Sequence, residues 1–380
     1  MKTWSLVCTS CSSTFPGTDR LNLCPKCESP LWAEATDAKP RRDAIQTDRW
    51  DMWRYSALLP LAAGEAPVSL GEGCTPMIEL PALANALGVA RLWIKDEGVN
   101  PTASFKARGL SAAVTRARGV PGIVVPTAGN AGAALAAYGA AAGVPVRVFA
   151  PATTPRPILD TIRVLGATLV TIDGHIGDAG RMARAYAAEH GWFDVSTCRE
   201  PYRTEGNKTL GIELAEQLGW TLPHVIVYPT GGGEGVIGMC KVFAEMRAAG
   251  WLDASAPRPR IVVAQASGCA PLVRAFTSGA ERATPWENPV THAAGLRVPG
   301  PLGDRLVLRA LRETNGAAAS IDEDAIRANT SRLATASGID AAPEGGCALG
   351  VLDVLVRSGV VRRDEQVVVF NTGAGASYRS

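Results

Sequence analysis

From about residue 90 the chain alternates short, continuously apolar runs with helical stretches, and this alternation limits the folds open to it more than any other feature. RLWIKDE (91–97), GIVVP (122–126), VPVRVFA (144–150), ATLVTID (167–173), HVIVYP (224–229), RIVVAQA (260–266) and EQVVVFN (365–371) read as strands. Their Val/Ile runs lack a polar face, as expected of strands covered on both sides. Helical patterns fill 105–118, 130–143, 156–166, 178–191, 236–250, 304–315, 322–337 and 345–358. The expectation is a doubly wound α/β architecture with mainly parallel sheets. With 380 residues there is room for two such domains and a small extra module. In open α/β sheets ligands bind beyond the carboxyl ends of the strands, so the loops after each strand carry the functional information.

The formal net charge of +2, without long basic or acidic runs, gives no footprint for nucleic acid or a charged membrane. No apolar stretch is long enough to span a bilayer, and MKTWSLVCTS does not read as a signal peptide. Nine cysteines in such a chain point to a reducing compartment and hence a soluble, cytoplasmic protein.

Cys8 and Cys11 form one C-x-x-C knuckle, and Cys24 and Cys27 form a second. Each knuckle can aim two thiolates at one tetrahedral point, so residues 1–40 are expected to be a zinc-ribbon-like module with a closed, structural site. Pro16, Gly17 and Asp19, between the knuckles, suit a hairpin, and ATDAKPRRDA (35–44) reads as a polar linker.

NPTASFKARG (100–109) places a lysine at the start of an alanine-rich helix. Ser104 is a good N-cap residue, which would start the helix at about Phe105 and set Lys106 in its first turn. The helix dipole and Arg108 would both favour the uncharged amine, which is a nucleophile and a base. Three further loops follow strands. In YPTGGGEGVIG (228–238), Gly231, Gly232 and Gly233 would let backbone N–H groups face a phosphate at a helix N-terminus. In PTAGNAGAALAAYGA (126–140), Asn130 would offer its amide from the first helical turn. In VVVFNTGAGASY (367–378), Thr372 would present a neutral hydroxyl at a strand end.

A lysine amine, a glycine cup, an amide and a hydroxyl are the groups that pyridoxal 5′-phosphate (PLP) requires. The chain resembles the fold-type II PLP enzymes, and the threonine synthase branch most closely. KDEGVNPTASFKARG, TAGNAGAALAAYGA, YRTEGNKT, PTGGGEGVIG and NTG occur in that family's order from about residue 70 to the end. The resemblance implies a Schiff-base role for Lys106, with Phe105 packing beside it, and a bond from Asn130 to the cofactor's O3′. It implies phosphate binding by Gly231, Gly232, Gly233, Glu234 and Gly235, and Thr372 facing the pyridine nitrogen. PEGGCALG (343–350) matches a helix-opening segment and would bring Glu344 near the cofactor. The implied organisation is a large PLP-binding domain over 45–105 and 195–380, a small mobile domain over 106–194, and a homodimer.

The implied reaction is elimination or replacement at the β or γ carbon of an amino acid, with O-phosphohomoserine as the threonine synthase substrate. Thr127, Ala128, His175, Arg181 and Glu200 fall at the family's substrate positions. Three of them depart from its pattern: Ala128 replaces the threonine of S-T-G-N, His175 the asparagine of D-G-N, and Glu200 the asparagine of Asn-Pro. Arg181 stands where a phosphate-binding arginine would sit, but a carboxylate at Glu200 would repel that phosphate. The alternatives are a serine/threonine ammonia-lyase or β-replacement synthase acting on another amino acid, and a non-catalytic PLP-binding scaffold.

Overall fold

The computed structural model describes residues 3–36, 40–62, 64–253 and 255–379; residues 37–39 of the expected linker lie outside it. The strands are β1 (Trp4–Cys8), β2 (Thr14–Pro16), β3 (Leu31–Ala35), β4 (Met77–Glu79), β5 (Arg91–Asp96), β6 (Ile123–Pro126), β7 (Val146–Pro151), β8 (Thr168–Ile172), β9 (Phe193–Asp194), β10 (Val225–Pro229), β11 (Arg260–Ala266), β12 (Ala317–Ile321) and β13 (Gln366–Asn371). The α-helices are α1 (Pro81–Leu87), α2 (Lys106–Arg116), α3 (Asn130–Ala142), α4 (Arg156–Val164), α5 (Ile176–His190), α6 (Tyr202–Asn207), α7 (Thr209–Gln217), α8 (Glu234–Ala248), α9 (Pro271–Thr277), α10 (Asp304–Glu313), α11 (Glu323–Ser337) and α12 (Pro343–Arg357).

The strands form three sheets, in the orders β2-β1-β3, β12-β11-β10-β13-β5-β4 and β8-β7-β6-β9. In the two larger sheets every pairing is parallel except that of β4 with β5. The Val/Ile runs do what their lack of a polar face requires. Val225, Ile226 and Val227 of β10, and Val367, Val368 and Val369 of β13, are buried on both faces, between α8 and α10 on one side and α12 on the other. Burial of each such side chain contributes on the order of 1.5–3 kcal/mol.

Polar sequence conceals α6. YRTEGNKT carries few apolar residues, yet every residue of α6 is buried. The helix is held by charge pairing instead. Lys208 pairs with Glu205 at 2.6 Å and with Glu245 at 2.9 Å, and Lys241 pairs with Glu205 at 2.9 Å. A second buried network centres on Arg108. Its guanidinium donates to both oxygens of Glu97 (2.7 and 2.8 Å) and to Glu213 (2.9 Å). Lys95 reaches Glu213 at 2.5 Å. Burial works to raise the Glu213 pKa, but Arg108 and Lys95 outweigh it and hold the carboxyl at about 2.

The cysteine module is an antiparallel three-stranded unit. The β1–β2 hairpin turns through the first knuckle itself, so Pro16 and Gly17 lie at the end of β2 rather than at its tip. The two knuckles repeat one geometry: Ser12 N bonds to Cys8 O and Glu28 N to Cys24 O, with φ of 56° at both Ser12 and Glu28. The module touches both larger sheets' surroundings. Arg20 donates to Arg118 O (2.6 Å) and Asn22 to Asp194 O (2.5 Å) on the β6–β9 side. Lys241 donates to Ala33 O (3.0 Å) on the β10–β13 side.

Candidate active site

The ends of β10 and β13 and the first turns of α2, α3, α8 and α12 converge on one cavity. Phe105, Lys106, Asn130, the 230–235 loop, Glu344 and Thr372 line it. Ser104 does not cap α2 with its side chain, and the helix starts at Lys106 behind Phe105. Phe105 packs edge-on against Tyr228, centroids 5.9 Å apart, and the Lys106 Nζ lies 4.1 Å from the Phe105 ring centre. Among the described residues that amine makes no hydrogen bond or ion pair. Burial, and after it the Arg203 guanidinium, lowers its pKa to about 8. Arg108, expected to repel Lys106, is instead neutralised by Glu97 and Glu213; the opposing cation is Arg203.

The glycine loop has two separate requirements. Gly233 takes a left-handed φ of 92° at the N-cap of α8, and a Cβ on Gly235 would sit 2.2 Å from the Tyr228 hydroxyl. Side chains are therefore excluded by backbone shape and by packing. What remains is a row of donors. The backbone N–H groups of Gly231, Gly232, Gly233, Glu234 and Gly235 have no acceptor among the described residues. They lie at a helix N-terminus, where an anion is favoured. The Glu234 carboxylate faces away from this purpose: it accepts from Cys198 N (2.7 Å) and pairs with Arg203 (2.7 Å).

Asn130 is the first residue of α3, and its amide donates to the Tyr378 hydroxyl at 3.3 Å. Thr127 clamps the preceding turn, its hydroxyl accepting from Gly129 N (3.0 Å) and Gly132 N (3.2 Å). The Thr372 main chain accepts from Phe105 N at 3.1 Å, and its hydroxyl is unbonded among the described residues. A free amine, free N–H donors at a helix start, an amide and a free hydroxyl fit the aldehyde, phosphate, ring oxygen and ring nitrogen of PLP.

The expected substrate residues are not gathered there. Glu200 is buried, and its carboxylate accepts from Tyr202 N (2.6 Å) and Arg203 N (2.9 Å) at the start of α6. Burial raises its pKa to about 8. His175 and Arg181 are exposed; Arg181 pairs with Asp178 along the solvent face of α5. Ala128 sits in the β6–α3 turn without lining the cavity. Motif matching assigned no role to the cavity residues Gly295, Leu296 and Tyr378. It also missed Arg297, next to the lining residue Leu296, which reaches across to Thr153 O (3.3 Å) and Oγ1 (3.4 Å). The four knuckle sulfurs lie within 4.8 Å of one another, close to the spacing of about 3.8 Å that tetrahedral zinc–thiolate bonds require.

The family model of the pyridoxal-phosphate dependent enzymes matches residues 68–373. The threonine synthase of Methanosarcina acetivorans is 34% identical over 377 residues, covering 97% of this chain and 91% of that protein. That of Methanocaldococcus jannaschii is 31% identical over 376 residues, with the same coverage of 97% and 91%. Among solved structures, diaminopropionate ammonia lyase from Escherichia coli superposes with a TM-score of 0.70 at 19% identity, over 90% of this chain and 93% of that one. Maize serine racemase gives 0.68 at 20% identity, over 79% and 88%. At such identities these two structures speak for the fold alone.

Proposed function

This chain belongs to the pyridoxal-phosphate dependent enzymes and is threonine synthase-like over nearly its whole length, and on that premise we propose that it converts O-phosphohomoserine and water to threonine and phosphate. The observation that carries the site assignment is one cavity holding both the unbonded Lys106 amine and five unbonded N–H donors. In this reading Lys106 carries the cofactor, the N–H groups of 231–235 hold its phosphate, Asn130 its ring oxygen and Thr372 its ring nitrogen. Bound PLP supplies an electron sink for a carbanion at Cα. Lys106, with its pKa near 8, is suited to take a proton from Cα and return it at neutral pH. The neutral Thr372 hydroxyl does not hold a proton on the ring nitrogen as a carboxylate would, which suits elimination and replacement over long-lived carbanions.

The placement of Glu200 removes the objection that its carboxylate raised against a phosphorylated substrate. Its carboxylate is engaged with two helix N–H groups, so it does not oppose a phosphate in the cavity. Arg297, at the cleft between the 295–298 loop and Thr153, is the cation we assign to that phosphate. The competing reading, β-elimination or replacement on an uncharged amino acid, draws on Ala128 and on Arg181, which turns to Asp178. A panel of hydroxy-amino acids and their phosphates separates the two, with phosphate, ammonia and keto-acid release measured together. Arg297→Ala should lower kcat/KM for O-phosphohomoserine by about 10- to 150-fold, the range for a lost bond to a charged group. Arg181→Ala should change it less than about threefold, as for an exposed pair. Equal turnover of O-phosphohomoserine by wild type and Arg297→Ala would return the phosphate to another group.

The four cysteines, in this proposal, hold one structural zinc. Metal analysis should find about one zinc per chain, and Cys24→Ser should lose it and loosen the module. A metal-free protein whose knuckles stay intact would refute this. Four clustered thiols also support a reducing, cytoplasmic setting. The proposed assembly is a homodimer, on the family resemblance.

A further inference from the structure

Tyr378 ends the VVVFNTGAGASY stretch without a role there, yet it lines the cavity. It ends a short turn, Gly375–Tyr378, that is tied down at several points. Gly375 N bonds to Asp340 O at 2.8 Å, Ala376 N to Asp340 Oδ2 at 2.9 Å, and Arg379 grips both Asp340 oxygens at 2.6 and 2.7 Å. So held, the tyrosine has little freedom, and its hydroxyl makes two bonds. It donates to Glu344 Oε1 at 2.9 Å and accepts from Asn130 Nδ2 at 3.3 Å. Glu344 is fixed in turn, since Oε1 also accepts from Gly295 N at 2.7 Å. Its other oxygen, Oε2, is buried without a partner among the described residues.

Direction follows from valence. An amide nitrogen has two N–H bonds, and Tyr378 takes one of them. The other is left pointing elsewhere, and the plane of the amide is fixed by the first. Burial raises the Glu344 pKa, which favours the neutral acid and is consistent with an unpaired Oε2. A neutral carboxyl still offers Oε1 to the tyrosine.

We propose that Tyr378 and Glu344 are positioning residues: through the row Glu344–Tyr378–Asn130 they set the amide that holds the ring oxygen of the cofactor. The inference rests on the assignment of Asn130 in the proposed function. Because the row acts on the ring oxygen, its loss should alter the electronic spectrum of bound cofactor as well as its affinity.

The test is titration of full-length protein with PLP, reading visible absorbance and the dissociation constant by equilibrium dialysis. Tyr378→Phe should weaken PLP binding about three- to tenfold and move the visible band. Glu344→Leu, which removes the acceptor, should do the same. Glu344→Gln, which keeps a carbonyl oxygen for the tyrosine, should preserve the band. In the double variant Tyr378→Phe/Glu344→Leu the losses should not add, since the residues act in series. A band and affinity unchanged in Tyr378→Phe, or fully additive losses, would overturn the inference. Wild-type protein that fails to take up PLP would instead defeat the cofactor assignment beneath it. Thermal melting of each variant separates a loss of fold from a loss of position.

Discussion

Lys106→Ala is expected to abolish turnover, with kcat down by at least about 10³-fold, within the range that acid–base catalysis alone can supply. Borohydride reduction of wild type loaded with PLP should leave the label on Lys106, and the alanine variant should leave no label. Loss of the amine does not remove the five N–H donors of the 231–235 loop, so the variant should still bind PLP, more weakly. The same amine gives a pH signature. With its pKa lowered to about 8, the neutral form gains as pH rises through that value, well before an ordinary lysine. The rate at which apo-protein captures PLP should therefore climb through about pH 8. A midpoint near pH 10.5, the ordinary lysine value, would place the reactive amine outside this cavity.

Arg108→Met should be the most destabilising single change. It leaves Glu97 and Glu213 buried together without their main cation, which costs on the order of 3–5 kcal/mol. Denaturant or thermal unfolding reads this directly. Arg108→Lys should recover only part, because a lysine cannot reproduce the paired bonds to Glu97 at 2.7 and 2.8 Å. The network also predicts acid sensitivity. The Glu213 pKa is depressed to about 2, so its contribution is complete above the ordinary glutamate range. It is lost as pH falls from there through about 2. An Arg108→Met protein as stable as wild type would mean the network contributes nothing net.

Where apolar pattern governs, the sequence is transparent. The buried runs of β10, β11 and β13 and the loops after them are found within a residue or two, because nothing but a doubly covered strand hides such runs. The helix α6 is not found, because Arg203, Glu205 and the adjoining Lys208 are buried by pairing with Glu234, Lys241 and Glu245, residues about 30 to 40 positions away. Glu200 illustrates the same limit at the site. Its partners are the N–H groups of Tyr202 and Arg203, which no side-chain pattern announces. Tyr378 escapes because its place depends on the grip of Arg379 on Asp340, a contact across 39 positions.

The cysteine module bears on mechanics. Arg20 holds Arg118, just past the end of α2 opposite Lys106, while Asn22 holds Asp194 and Lys241 holds Ala33. The surroundings of the two larger sheets are thus tied together at one edge, like the spine of a book. The eleven-residue helix α2, which begins at Lys106, runs from the cavity towards that spine, a length of about 16 Å. At the cavity end Arg297 reaches Thr153 O and Oγ1, in bonds of 3.3 and 3.4 Å. The cysteine module therefore works as a clasp, joining the end of α2, β9 and α8 through three main-chain oxygens and side chains far apart in sequence.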